Sequence, residues 1–306
     1  MGAVLDLIAS RFREQADVIS TAPGHTALVL ESPHSGTVYP ADFDYIVDLA
    51  ALRTAEDTHV EKLWGPSARA RGAAWVEAHF PRSYLDANRN TTEIDTAMFT
   101  APWPGPVSDE PAVRSKLRLG KGLIWKCMDD GQPLYRRLLT VEEVQARIER
   151  YWQPYHLAVA AAIDAAHARH GYSIHIDCHS MPSVAASHAT DFPGLHHSDF
   201  VIGDRDGSTA SPALSAMVCH FLRARGYSVD YNHPYKGVEL VRRNGRPQEH
   251  RHSIQIEINR KLYMDETTLE MGPGFASLQA DLDALVDMLL RVDARALHAR
   301  PAGLTA

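Results

Sequence analysis

Ser173-Ile-His-Ile-Asp-Cys-His-Ser-Met-Pro182 decides how the rest of the chain is read. Ile174 and Ile176 alternate with Ser173, His175 and Asp177, which is the period-two pattern of a buried strand. His179 falls where that strand should stop, and Pro182 cannot extend a ladder. A strand ending in an imidazole and a hydroxyl delivers reactive side chains to a sheet edge, where α/β enzymes keep their chemistry.

Two other strand-like runs end in the same way. In Thr26-Ala-Leu-Val-Leu-Glu-Ser-Pro-His34-Ser-Gly36, apolar residues lead into a Ser-Pro turn with His34 just beyond it. Gly36 is expected to give the backbone an unusual dihedral there. Ser253-Ile-Gln-Ile-Glu-Ile-Asn-Arg260 sets Ile254, Ile256 and Ile258 on one face and Glu257 on the other. Parallel pairing of the three strands would bring His34, His179 and Glu257 to one edge.

Composition narrows the class of protein. With 306 residues, 45% of them hydrophobic, the chain can fill a substantial core. Its 31 Lys plus Arg against 38 Asp plus Glu leave a net charge of −7, which disfavours nucleic acid and suits a small metabolite. Cys127, Cys178 and Cys219 are an odd, scattered set, expected to be buried thiols in a reducing compartment. Asp6, Arg11, Arg13 and Glu14 interrupt the N-terminus, and no apolar run reaches the ~20 residues of a membrane span. The expectation is a cytoplasmic protein.

Along the chain, a short helical N-terminus and the first strand precede a predicted helix over Asp42 to Leu52. A second helix starts near Thr54 to Asp57 and runs to Gly72, followed by a strand over Ala73 to Phe80. Thr96 to Gln132 is rich in Pro and Gly and reads as a long ordered loop, an insertion or lid. Val144, Ile148, Tyr151, Tyr155 and Val159 recur at helical spacing toward Gly171, with a kink expected at Pro154. Asp199 to Gly203 and Tyr227 to Tyr231 read as strands, Pro212 to Arg225 as a helix, and Leu278 to Val292 as a closing amphipathic helix. Strands alternating with helices predict a single α/β domain, residues 1–306, with a mostly parallel mixed central sheet flanked by helices.

The clustered polar residues point to metal-assisted hydrolysis. Catalytic zinc is typically held by about three N/O ligands with one position left for water. His34 and His179 supply two of them. An acid three places after the first His would be the zinc-carboxypeptidase pattern, but Thr37 stands there. The next acidic cluster is Glu56-Asp57-Thr58-His59; Asp57 is the choice within it, with Glu56 and His59 as alternatives.

Taken together these motifs resemble the N-formylglutamate amidohydrolase family, from about Leu28 to Glu266. The matching pieces are Ser32-Pro-His-Ser-Gly36, Asp57 with Leu63 and Trp64, Leu85-Asp-Ala-Asn-Arg89, and Ile176-Asp-Cys-His-Ser-Met181. Pro234-Tyr-Lys-Gly237, Ile254-Gln-Ile-Glu-Ile-Asn-Arg260 and Leu262-Tyr-Met-Asp-Glu266 complete the set. The family is similar in fold to zinc carboxypeptidases.

The resemblance implies one Zn²⁺ on His34, Asp57 and His179, with Glu257 as general base and Asn88 and Arg89 on the substrate carboxylate. It implies cleavage of N-formyl-L-glutamate, or a similar small N-acyl acidic amino acid, in a late step of histidine degradation. Arg82, Tyr235, Lys236 and Arg260 are further candidates for a second carboxylate or the oxyanion. An Arg offers a planar fork to a carboxylate that Lys lacks. Two other functions fit the same motifs: a carboxypeptidase- or desuccinylase-like zinc hydrolase, and a catalytically silent metabolite-binding protein of the same fold.

Overall fold

A computed structural model describes residues 18–186 and 192–298. In chain order the main elements are β1 (Ile19–Ala22), β2 (Leu28–Ser32), α1 (Leu49–Arg53), α2 (Val60–Ala70), β3 (Ala74–Ala78), α3 (Pro111–Arg118) and α4 (Val141–Arg147). They continue with α5 (Gln153–His170), β4 (Ser173–Met181), β5 (Phe200–Gly203), α6 (Pro212–Arg223), β6 (Val229–Tyr231), α7 (Glu239–Asn244), β7 (Arg251–Asn259) and α8 (Phe275–Leu289). The seven strands form one mixed sheet in the order β1-β3-β2-β4-β7-β5-β6. The α/β expectation therefore holds.

The stretch that opened the sequence reading is β4, and all nine of its residues are buried. It pairs in parallel with β2 on one side and β7 on the other. Only the β5–β7 pairing printed beside it is antiparallel. Because a strand repeats every two residues, its faces divide by composition. Ile174, Ile176 and Cys178 join Leu28, Leu30, Phe200, Ile202, Ile254, Ile256 and Ile258 in one apolar cluster. Each such aliphatic side chain contributes about 1.5–3 kcal/mol on burial. His175, Asp177 and His179 occupy the opposite face of the same strand.

Helices with apolar residues at three- and four-residue spacing cover the apolar face. Val60, Leu63, Trp64 and Ala68 of α2 are buried, as are Leu278, Leu282, Leu285 and Leu289 of α8. α2 packs against α8, β2 and β4, and α6 against β5 and β6. Pro66 lies inside α2 and has no N–H to give the Lys62 carbonyl. Gln279 Nε2 of α8 donates to that carbonyl at 2.8 Å, which repairs the helix and ties the two together.

Contacts divide the chain into two compact units that alternate along the sequence. One is built from Pro33–Glu56 and Val76–Val159 with the N-terminal strand, the other from Ala22–Ser32, Asp57–Trp75 and the chain from Ala160. The first has an aromatic centre in which Phe43 packs on Tyr45, Tyr84 and Tyr135. The guanidinium of Arg147, buried with its helix α4, lies 4.0 Å from the Tyr84 ring centroid and donates to the Tyr135 hydroxyl at 2.9 Å. The second holds the apolar cluster described above.

Several sequence expectations need correction. The helix predicted over Asp42 to Leu52 is confined to Leu49–Arg53, because Asp44 sits at φ 48° and the Ile46 N–H is spent on the Leu134 carbonyl. Thr96 to Gln132 is not wholly loop. Asp95 caps a short 3₁₀ turn at Thr96–Met98, and Pro111 opens α3, which nothing interrupts before Gly120 at φ 72°. The long helix ahead of Gly171 is broken not at Pro154 but just before it, by a π-helical turn at Ile148–Trp152. Gly36 does not have a positive φ; what demands glycine is close approach, since a Cβ would lie 2.4 Å from backbone atoms of His79 and Phe80. Cys127 is only half-buried, whereas Cys178 and Cys219 are buried as expected. β1 was not foreseen, and the predicted N-terminal helix lies outside the described residues.

Candidate metal centre and active site

His34 follows β2 by two residues, and the tight contact at Gly36 holds its loop on the backbone of His79 and Phe80. The ring is 1% exposed, and Nε2 lies 2.7 Å from Asp86 Oδ1. Asp86 is a hub. Its Oδ1 also accepts the Asn88 backbone N–H at 3.0 Å, and its Oδ2 accepts Arg82 at 3.1 Å and the Trp125 indole at 3.3 Å. Burial acts to raise the pKa of Asp86, yet His34, Arg82 and Arg89 hold it well below the usual carboxylate range.

Arg89 stands 3.9 Å from Asp86 and 3.6 Å from Glu93, looser contacts than those of Arg82. Its backbone carbonyl is fixed by the Trp152 indole at 2.8 Å, while its Nε is buried without a hydrogen-bond partner among the described residues. Asn88, beside it, is 2% exposed. A pinned guanidinium with an unused N–H is what recognition of a ligand carboxylate requires.

The second unit supplies the rest. His179 lies directly opposite Glu257 in the β4–β7 register, as the sequence pattern implied. Glu257 accepts from Gln255 Nε2 at 2.9 Å and is 9% exposed. His179 Nδ1 is 3.0 Å from Asp57 Oδ2, and its Nε2 is 2.5 Å from Asp177 Oδ1. Arg260 donates to Asp57 Oδ1 at 3.2 Å and to the Ser180 hydroxyl at 3.1 Å, so it steadies the acid from its other side.

The acidic cluster after α1 also resolves. Glu56 accepts the Tyr39 hydroxyl at 2.5 Å and Arg53 at 3.3 Å. His59 bonds the Leu269 carbonyl at 2.9 Å and caps α2 from the left-handed region at φ 68°. Asp57 is the member that joins the histidines: His34, Asp57 and His179 each offer a ligand atom, all within 4.8 Å of one another, and all three residues are buried.

The donor set suits a cation. Burial works against charge on His179, but Asp177, Asp57 and Glu257 hold its pKa well above that of an ordinary imidazole. Carboxylates crowding one buried ring make a place where positive charge is strongly stabilised. Two imidazoles with one carboxylate could hold a divalent transition metal.

The remaining candidates lie elsewhere in their surroundings. The Tyr235 hydroxyl is 3.4 Å from His197 Nε2. Lys236 is 56% exposed and pairs with Asp206 at 2.7 Å. Asp86, Asp177 and Trp125 were given no role of their own from sequence. The available signal was an ionisable residue inside an apolar alternation, since a buried carboxylate must have a partner.

Residues 26–264 match the family model described as N-formylglutamate amidohydrolase. The chain belongs to the N-formylglutamate amidohydrolase family. It is 31% identical over 256 residues to an N-formylglutamate deformylase of Pseudomonas aeruginosa, covering 82% of this chain and 86% of that one. A solved N-formylglutamate amidohydrolase from Ralstonia eutropha JMP134 is 45% identical with a TM-score of 0.83, covering 90% of this chain and 97% of that chain. A gene product of Agrobacterium tumefaciens, 16% identical with a TM-score of 0.62, covers 95% of this chain and 98% of its own and shares the fold. Every candidate site residue from His34 to Arg260 falls inside the stretch matched to the N-formylglutamate amidohydrolase family. Among the described residues no helix is long and apolar enough to cross a membrane.

Proposed function

We propose that this chain hydrolyses N-formyl-L-glutamate to formate and L-glutamate, using one Zn²⁺ held by His34, Asp57 and His179. The observation that carries the reading is the buried His-Asp-His group, with Glu257 opposite His179, in a member of this family. A cation there supplies Lewis acidity, polarising the formyl oxygen and lowering the pKa of water toward ~7.

The protein's own groups do the remaining chemistry. Glu257 takes a proton from the attacking water and passes it to the glutamate nitrogen as the C–N bond breaks. Formate leaves as the anion, and the second proton of the water ends on the amine. Arg89 and Asn88 bind a substrate carboxylate, a role supported by the unused Arg89 Nε. Asp86 keeps His34 and Arg82 in register with that pair. Arg260 orients Asp57 rather than touching substrate. The chain's three free cysteines support a cytoplasmic setting.

The test is formate release by zinc-loaded protein from N-formyl-L-glutamate, run beside N-formylaspartate, N-succinylglutamate and C-terminal peptides. Formate from the first substrate, lost on chelation and restored by Zn²⁺, supports the reading. Zinc-loaded protein that releases none from any N-formyl amino acid overturns it.

A further inference from the structure

We propose that Asp177 is a positioning residue, braced by Glu31, that holds the Nε2 edge of His179 and so presents Nδ1 to the cation. The inference rests on the metal reading above and assigns roles to two residues outside the ligand set.

The geometry is a row across the polar face of the sheet. Asp177 precedes His179 by two residues on β4, so both side chains leave the same face. Asp177 Oδ1 lies 2.5 Å from His179 Nε2. Glu31, on β2, is the register partner of Asp177 and is hydrogen-bonded to it. Behind them His175 Nε2 is 3.6 Å from Glu31 Oε1, and His175 Nδ1 is 2.7 Å from the Ser253 hydroxyl. Glu31 and Asp177 are both 0% exposed.

Burying two carboxyl groups side by side is costly, and these strands have an alternative at hand. Their other face is filled with Leu28, Leu30, Ile174 and Ile176. A merely structural sheet face could use the same side chains. A polar row aimed at one imidazole instead gives that ring a fixed tautomer. A carboxylate on Nε2 keeps its proton there and leaves Nδ1, on the Asp57 side, as the ligand atom. Two carboxyls can hydrogen-bond only if one of them carries a proton. Glu31 is then the donor and Asp177 the acceptor toward both neighbours, so an amide at position 31 preserves the arrangement and an alkyl group does not.

The experiment uses the full chain, stripped of metal and titrated with Zn²⁺ against a chromophoric chelator, with the visible absorption of the Co²⁺ form as a second readout. Asp177→Asn is expected to weaken Zn²⁺ binding about 10- to 100-fold and to shift the Co²⁺ bands. Glu31→Gln is expected to leave both unchanged, while Glu31→Leu, of similar bulk, weakens binding in the same direction as Asp177→Asn. Wild-type Zn²⁺ affinity and Co²⁺ spectrum in folded Asp177→Asn overturn the proposal. Should that variant not fold, equal affinities in Glu31→Gln and Glu31→Leu overturn it. A wild-type chain that takes up no Zn²⁺ sinks the metal reading and this inference together, whereas tight wild-type binding with an indifferent Asp177→Asn sinks only this one.

Discussion

Asp86 Oδ1 lies 2.7 Å from Nε2 of His34, and the same carboxylate collects the Asn88 backbone N–H, Arg82 and the Trp125 indole. One buried acid therefore sets the orientation of a proposed metal ligand and anchors the start of the proposed carboxylate clamp. Replacing it by Asn should cost about 10- to 100-fold in Zn²⁺ affinity. Zinc retained after dialysis, measured on protein shown to be folded by circular dichroism, checks this; full retention would contradict it.

Glu257→Gln should separate chemistry from metal binding. The amide cannot accept a proton from water, so kcat is expected to fall about 10²- to 10⁴-fold. Zinc stoichiometry should stay at the wild-type level, because Glu257 faces His179 across the β4–β7 register without belonging to the His-Asp-His group. Steady-state kinetics with metal analysis on the same sample decides the matter.

Arg89→Lys keeps the charge and removes the planar fork and the unused Nε–H. KM for N-formyl-L-glutamate should rise roughly tenfold, the cost of about one charge-assisted hydrogen bond. N-formylbutylamine, which has no carboxylate, should be turned over equally by both proteins. A variant with unaltered KM would remove Arg89 from the clamp.

Stability of the metal-free protein should fall as pH drops from about 6.5 toward 4. Burial pushes His175 down to about 4 from its ordinary 6.5, although Asp177 pulls the other way. Between those values the unfolded chain binds a proton that the folded chain refuses, so stability is full above 6.5 and declines through the window. The slope contributed is up to about 1.4 kcal/mol per pH unit. Denaturant titrations at pH 7, 6 and 5 should show a shallower decline in His175→Gln; an identical slope would argue against a buried neutral imidazole.

Gly36→Ala places a Cβ 2.4 Å from the His79 and Phe80 backbone, which has no flexible end to swing aside. A loss of about 1–3 kcal/mol is expected from forced overpacking. Since His34 is two residues away, zinc affinity should drop as well. A thermal melt of the metal-free variant reads the first effect, and chelator competition the second.

The sequence by itself determined that β2, β4 and β7 are strands and that His34, His179 and Glu257 fall at their ends. Side-chain alternation and turn residues are local signals, and the parallel register then follows from burying one apolar face. It also determined that Asp57, Asn88 and Arg89 lie in motifs of this family. It did not determine which member of Glu56-Asp57-Thr58-His59 turns toward His179. That depended on Tyr39, Arg53 and the Leu269 carbonyl, distant in sequence, engaging Glu56 and His59. Nor could it show that Asp86 and Asp177 stand behind the two imidazoles, or that Asp42 to Asp48 forgoes a helix to meet Leu134. Local pattern is written in neighbouring residues, whereas the partner of a buried polar atom is chosen by whichever remote segment the packed chain brings within about 3 Å of it.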